Sequence, residues 1–151
     1  MPKYDIIPFK ACHWYSLRAT DGVDELTGLP DEHHARILAG GGPAYTALAE
    51  NKIIGIGGVF VLWPGNGEAW CLVSPEIQKH KFFFFRQSLR YLDMMARQHH
   101  LERIQAAVRV DFEAGLKFVE ALGFQAEGIM EKYYRGRTFI RFAKIYEEGK
   151  T

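Results

Sequence analysis

What this chain has little of already excludes several classes of function. Only two cysteines, Cys12 and Cys71, occur in 151 residues, too few for a disulfide framework. Both sit among apolar neighbours and read as reduced core thiols, which suits a reducing compartment. No apolar run approaches the ~18 residues of a membrane span, and the opening MPKYDIIPFK has no apolar signal core. The expectation is a cytoplasmic protein with no membrane partner. Neither sign of charge dominates, since the formal net charge is +1, so there is no global field to draw in nucleic acid. CxxC and HExxH spacings are missing. The adjacent pairs His33-His34 and His99-His100 diverge by about 100° on a helix, so no metal site is expected. Ser16, Ser74 and Ser88 lack a nucleophile-elbow setting, which argues against hydrolase chemistry. One further lack is local. The stretch VSPEIQKHKFFFFRQSL, from Val73 to Leu89, holds no glycine, and four consecutive phenylalanines occupy Phe82 to Phe85.

What is present reads as one domain over residues 1–151, long enough to bury roughly two thirds of its unfolded surface. A first strand is predicted over Tyr4 to Phe9, with Pro8 confining it to an edge or an early end. Helices follow over Cys12 to Ala19 and Pro30 to Leu38, the second opened by Pro30 with Asp31 and Glu32 behind it. Strands at Ala44 to Ala49, Ile53 to Leu62 and Glu68 to Val73 are separated by the turns Glu50-Asn51-Lys52 and Trp63-Pro64-Gly65-Asn66-Gly67, an antiparallel meander. A helix of about twenty residues then runs to His99, its apolar face formed by Phe82, Phe85, Leu89, Leu92 and Ala96, with Met95 at the edge. Ile104 to Val110 is a strand. Phe112 to Leu122 is a helix with Asp111 as N-cap and Gly123 as the C′ residue. Two strands, Gln125 to Tyr134 and Thr138 to Tyr146, flank the turn Arg135-Gly136-Arg137. The strand–helix–strand around the long helix favours a parallel pair in an otherwise antiparallel sheet. Such a pair can splay and leave a groove, and the helix N-terminus facing it suits an anion.

That order, with the strand AWCLVSPE ending at Val73-Ser74-Pro75-Glu76, the long helix after it and the later GLKFVEALGF with Gly123-Phe124, resembles the GNAT superfamily of acyl-CoA-dependent N-acyltransferases over nearly the whole chain. The resemblance implies an α/β (α+β layered) fold: a mixed, mostly antiparallel sheet of about six to seven strands with helices on both faces. It also implies acetyl transfer from acetyl-CoA to a primary amine by direct attack, the acceptor being unknown. In that family the V-x-P-E corner leads into an R/Q-x-x-G-x-G/A loop whose backbone N–H groups hold the cofactor's pyrophosphate. Here Gln78 matches the first position, Lys79 stands where a glycine is common, and Lys81 and Phe83 stand at the two motif glycines. The helix position often held by a tyrosine acid corresponds to Val119, and the asparagine that often starts that helix to Phe112. A narrower resemblance, carried by AWCLVSPE, the glycine-free helix start, GLKFVEALGF and EKYYRGRTFIRF, is to GNAT-like proteins of tailed phages. It implies an alternative: a catalytically inactive phage or prophage protein, in a virion or its assembly, or a protein-binding module.

On this resemblance the cofactor-binding candidates are Leu72 and Val73, whose main chain would steady the thioester oxygen, and Gln78, Lys79, His80, Lys81, Phe82 and Phe83, which would hold the pyrophosphate. Lys79, His80 and Lys81 oppose the helix dipole by about 0.3–1 kcal/mol each, which a bound phosphate would offset; a solvated basic turn is the competing reading. The phenylalanines cannot all face the core, so at least one points to the groove or to a partner. Glu68 is the candidate general base, with an exposed strand-end carboxylate as the alternative. Adjacent Tyr133 and Tyr134 present one ring to each side of the sheet, and either could line an acceptor pocket or protonate the leaving thiolate. Arg135 and Arg137 read as a solubilising turn. Self-association, with one copy completing another's groove, is left open.

Overall fold

The computed structural model describes residues 2–18 and 32–147. In chain order the elements are β1 (Tyr4–Pro8), α1 (Ala11–Arg18), α2 (Glu32–Gly40), β2 (Ala44–Ala49), β3 (Lys52–Trp63), β4 (Asn66–Val73), a 3-10 turn (Pro75–His80), α3 (Lys81–Gln98), β5 (Arg103–Arg109), α4 (Glu113–Ala121), β6 (Gln125–Tyr134) and β7 (Arg137–Ile145). The seven strands form one sheet in the order β1-β2-β3-β4-β5-β7-β6. The expected start of the second helix at Pro30 and Asp31 lies outside the described residues.

Two compact units divide the chain, one of residues 1–60 and 70–86, the other of 61–69 and 87–151. In the first, β1, β2 and β3 pair antiparallel. Phe9, Trp14, Leu17, Ala35, Leu38, Ile56 and Leu72 form its main core. A second cluster, Ala47, Ala49 and Ile54, is covered by Tyr4, Ile77, Phe83 and Phe84. A bulge explains how Ile54 and Ile56, two residues apart, serve different clusters. The β2–β3 register slips between Ala47 and Leu48, and an extra residue in a strand reverses the side-chain alternation beyond it.

In the second unit β4 and β5 pair parallel over Asn66–Glu68 with Arg103–Gln105. β5, β7 and β6 continue antiparallel. Alternation along β5 buries Ile104, Ala106 and Val108, leaving Arg103, Gln105, Ala107 and Arg109 on the other face. The β3–β4 connection is a tight turn with Pro64 followed by Gly65 at φ 88°, the order a type II turn requires. At the end of α4, Gly123 N–H donates to Glu120 O at 3.0 Å and Phe124 N–H to Val119 O at 3.1 Å. With Gly123 at φ 98°, this is a Schellman cap, and Lys144 Nζ donates to Leu122 O at 2.9 Å, placing a cation at the same helix end.

Three sequence expectations are corrected, on the cysteines, on the buried face of the long helix and on the cap of α4. Cys12 and Cys71 are both exposed rather than core residues: α1 turns Trp14 and Leu17 inward, and on β4 the buried neighbour is Leu72. The expected helix of about twenty residues up to His99 is α3, Lys81–Gln98, which the 3-10 turn precedes. Its buried residues are Leu92, Met95 and Ala96, so Met95 is inside while Phe82, at the head of the predicted apolar face, is 83% exposed. Asp111 does not cap α4: Phe112 is the N-cap and makes no side-chain cap bond, while the Asp111 carboxylate is drawn back to Arg109.

Candidate active site

In the first unit, β4 ends in Leu72, fully buried, and Val73, half-buried. Ser74 N–H donates to Ile54 O at 3.0 Å, tying the corner to β3, and Ile77 N–H donates to Ser74 O at 3.0 Å, closing the first turn. Pro75, at the head of the 3-10 turn, fixes φ where an N–H would otherwise be unpaired. Ser74 itself is buried, and its hydroxyl has no hydrogen-bond partner among the described residues. Residues from Gln78 to His80 complete the 3-10 turn, and Lys81 to Phe83 form the first turn of α3. No loop interrupts them.

The side chains of this segment divide cleanly. Gln78, Lys79 and Lys81 are exposed, with Lys79 Nζ 3.5 Å from Glu76 Oε2. The Tyr4 hydroxyl lies 2.8 Å from His80 Nδ1, and the Tyr4 ring stacks on Phe83 at 3.7 Å between centroids. The first strand is thereby fastened to the start of α3. Phe84 fills the space over Gly55, where a Cβ would stand 2.7 Å from the ring edge. Phe83 and Phe84 are thus packing residues, and Phe82 is the one of the run that faces solvent.

In the second unit, Glu68 is the hub of a polar network on the sheet face opposite Ile104, Ala106 and Val108. Arg141 Nη1 donates to Glu68 Oε1 at 3.0 Å and Oε2 at 2.9 Å, and Gln105 Nε2 donates to Oε1 at 2.9 Å. Gln105 Oε1 accepts from Arg103 Nε at 3.0 Å. The Arg103 guanidinium forks onto both oxygens of Glu127. At the other end, Arg141 Nη2 reaches the Tyr133 hydroxyl at 3.4 Å, its guanidinium lies 5.7 Å from the Tyr133 ring centre, and Tyr133 meets Phe139 edge-on at 5.2 Å. Glu127 is held below the usual carboxylate range by its hydrogen bond from Arg103, which in turn is pushed up mainly by that bond. Tyr134 stands apart: its hydroxyl is buried without a hydrogen-bond partner among the described residues, and its ring lies under Arg135 at 5.2 Å.

Among the residues singled out in the sequence, the structure brings Glu68 and Tyr133 into one network and leaves Tyr134 outside it. Arg141, Gln105 and Arg103 were missed. Each lies on the same face of its strand as Glu68, but strand order and register, which bring residues 73 positions apart together, are not written in local periodicity.

No protein-family model matches the sequence, and no curated protein matches it either. Solved structures match over the whole chain. A ribosomal-protein-S5-alanine acetyltransferase from Vibrio fischeri superimposes with a TM-score of 0.76 at 19% identity, covering 100% of both chains. This is the GNAT acetyltransferase fold. A protein from Salmonella typhimurium, assigned as an acetyltransferase and solved with its cofactor acetyl-CoA, matches with a TM-score of 0.73 at 16% identity, covering 98% of this chain and 96% of its own. A variant of spermidine N-acetyltransferase from Vibrio cholerae matches with a TM-score of 0.73 at 15% identity over 94% of this chain and 93% of its own. At these identities the likeness is one of fold.

Proposed function

We propose that this chain is an acetyl-CoA-dependent N-acetyltransferase, acting as a single domain over residues 1–151, that transfers an acetyl group to a primary amine by direct attack. The observation that carries this reading is the Glu68 network, a carboxylate and a tyrosine hydroxyl held by one guanidinium on one sheet face, within a fold shared end to end with acetyltransferases.

In this reading the end of β4 and the turn after it receive the co-substrate. The parallel ladder of β4 runs only through Asn66–Glu68, and the main chain of Leu72 and Val73 lies beyond it, suited to an acyl-thioester oxygen. Lys79 and Lys81 are exposed cations on the turn and the first turn of α3, and Gln78 and His80 add polar groups. They suit a diphosphate through side chains rather than through a glycine-lined backbone. A flexible ammonium is less preorganised than a backbone nest, so the affinity expected is lower than a glycine loop provides. The amine nitrogen attacks the thioester carbonyl carbon, the carbon–sulfur bond breaks, Glu68 takes the proton from the nitrogen and the Tyr133 hydroxyl supplies one to the departing sulfur. Acetyl-CoA and a panel of amines, with released thiol as the readout, test the reading. Thiol release that needs both an amine and Glu68 supports it; none from folded protein across primary amines sinks it.

One observation favours a second reading, a non-catalytic protein-binding module: the turn is glycine-free and Phe82 is presented to solvent beside it. Failure of the thiol assay together with failure to bind acetyl-CoA is the outcome that reading requires.

A further inference from the structure

We infer that Arg141 is a positioning residue serving both sides of the transfer at once, holding the Glu68 carboxylate with one amino group and the Tyr133 hydroxyl with the other, while Gln105 couples that carboxylate to the Arg103–Glu127 pair. The functional half of this inference rests on the proposed acetyl transfer; the structural half rests on geometry alone.

The geometry is directional. Arg141 Nη1 bridges both Glu68 oxygens and Nη2 points to Tyr133, so the planar fork fixes the carboxylate and the phenol relative to each other. A lysine ammonium, a point charge on a flexible stem, satisfies one of them but does not set the angle between them. The pair is also sheltered: the Arg141 and Glu68 side chains are 17% and 26% exposed, so water competes for these groups less than at a surface ion pair. The Gln105 amide has no freedom to turn over. Its nitrogen donates to Glu68 and its oxygen accepts from Arg103, and reversing it would set like against like at both ends. A displacement of the Arg103–Glu127 pair is therefore passed to Glu68 through this amide, in addition to the direct pull of the Arg103 charge on Glu68. Neither Arg141 nor Gln105 need touch the reacting atoms for this.

The test reads structure and activity separately. Wild type, Arg141→Lys, Arg141→Gln, Gln105→Leu and Arg103→Gln are compared by carbon-13 carboxyl resonances, Glu68 being assigned through Glu68→Gln, and by the ring resonances of Tyr133. In both Arg141 variants the Tyr133 signals are expected to move. Arg103→Gln is expected to displace the Glu68 signal in an otherwise wild-type chain and to displace it clearly less in the Gln105→Leu background, where only the direct charge effect is left. In acetyl transfer, Arg141→Gln is expected to lower kcat on the order of a hundredfold, as misplaced reacting groups do, with KM for acetyl-CoA unchanged and part of the loss recovered by Arg141→Lys. Folded Arg141→Lys or Arg141→Gln protein with unmoved Tyr133 and Glu68 signals would overturn the inference, as would Arg103→Gln acting equally with or without Gln105. If Arg141→Gln fails to fold, the Lys and Gln105→Leu arms decide. If wild type transfers no acetyl group, the proposed function falls, and the resonances still settle the positioning network.

Discussion

Gly55 shows how single residues set the start of the long helix. An alanine there would place Cβ 2.7 Å from the Phe84 ring and 3.3 Å from Val73, so either the ring or the helix must shift. Gly55→Ala is expected to cost about 1–3 kcal/mol, the usual range for overpacking, and to lower the melting temperature; adding Phe84→Leu should recover part of it. A melt unchanged by Gly55→Ala would contradict the packing described. From the sequence it was legible that four consecutive rings cannot share one face, but not that Phe82 is the one left out, because that depends on a glycine in a distant strand. At the same scale, Glu127 ties acid sensitivity to the network. Its carboxyl is held low by the hydrogen bond from Arg103. A carboxylate with a depressed folded-state value stabilises above its unfolded value, and that contribution is lost as pH falls through the folded one. Glu127→Gln removes the group, so the drop in melting temperature between about pH 7 and about pH 3 should shrink. An acid limb identical to wild type would refute the assignment.

At the scale of elements, the ends of segments were read with mixed success, for physical reasons. The C-terminus of α4 was legible because Gly123 supplies the φ of 98° that the cap demands. Gly123→Ala should cost about 1 kcal/mol, measured as a lower urea midpoint at unchanged slope; no change in midpoint would show that the cap contributes nothing. The N-terminus was not legible, since Asp111 looks like a cap and is claimed instead by Arg109 on the adjacent strand. The start of α1 has its own device. His13 Nδ1 accepts from Lys10 N–H at 3.1 Å and lies 2.7 Å from Thr46 Oγ1, while His13 N–H donates to Lys10 O at 2.9 Å, a reciprocal cap in the manner of a capping box. Burial first, and then Lys10, pushes the His13 imidazole below its usual value. The neutral ring is therefore favoured in the folded state, and its stabilising contribution is expected to fade as pH falls below about 6.5, the unfolded histidine value. Amide protection at the first turn of α1, taken relative to the intrinsic exchange rate at each pH, should fall in that window in wild type and stay level in His13→Gln; protection independent of pH in wild type would contradict the cap.

Across the whole molecule, the order of strands and helices was written in turns and periodicity, and the seven-stranded mixed sheet follows it. Pairing was not written there. The slip in register that sends Ile54 and Ile56 to different clusters, and the strand order that delivers Arg141 to Glu68, arise from contacts far apart in sequence. The glycine-free stretch was legible as an anomaly, and its answer is a 3-10 turn that runs into α3 without a loop, with Phe83 and Phe84 packed inward and Phe82 and the lysines left exposed. No helix among the described residues is long and apolar enough to cross a membrane. Whether this turn accepts the co-substrate of the proposed acetyl transfer is decided by isothermal titration of the folded protein with acetyl-CoA, beside the double variant Lys79→Ala/Lys81→Ala. Saturable binding at one site is expected, weakened in the double variant by the loss of two exposed cations. No saturable binding up to about millimolar acetyl-CoA, the Kd that corresponds to a standard binding free energy of about −4 kcal/mol, would contradict it and return the turn and Phe82 to a search for a protein partner.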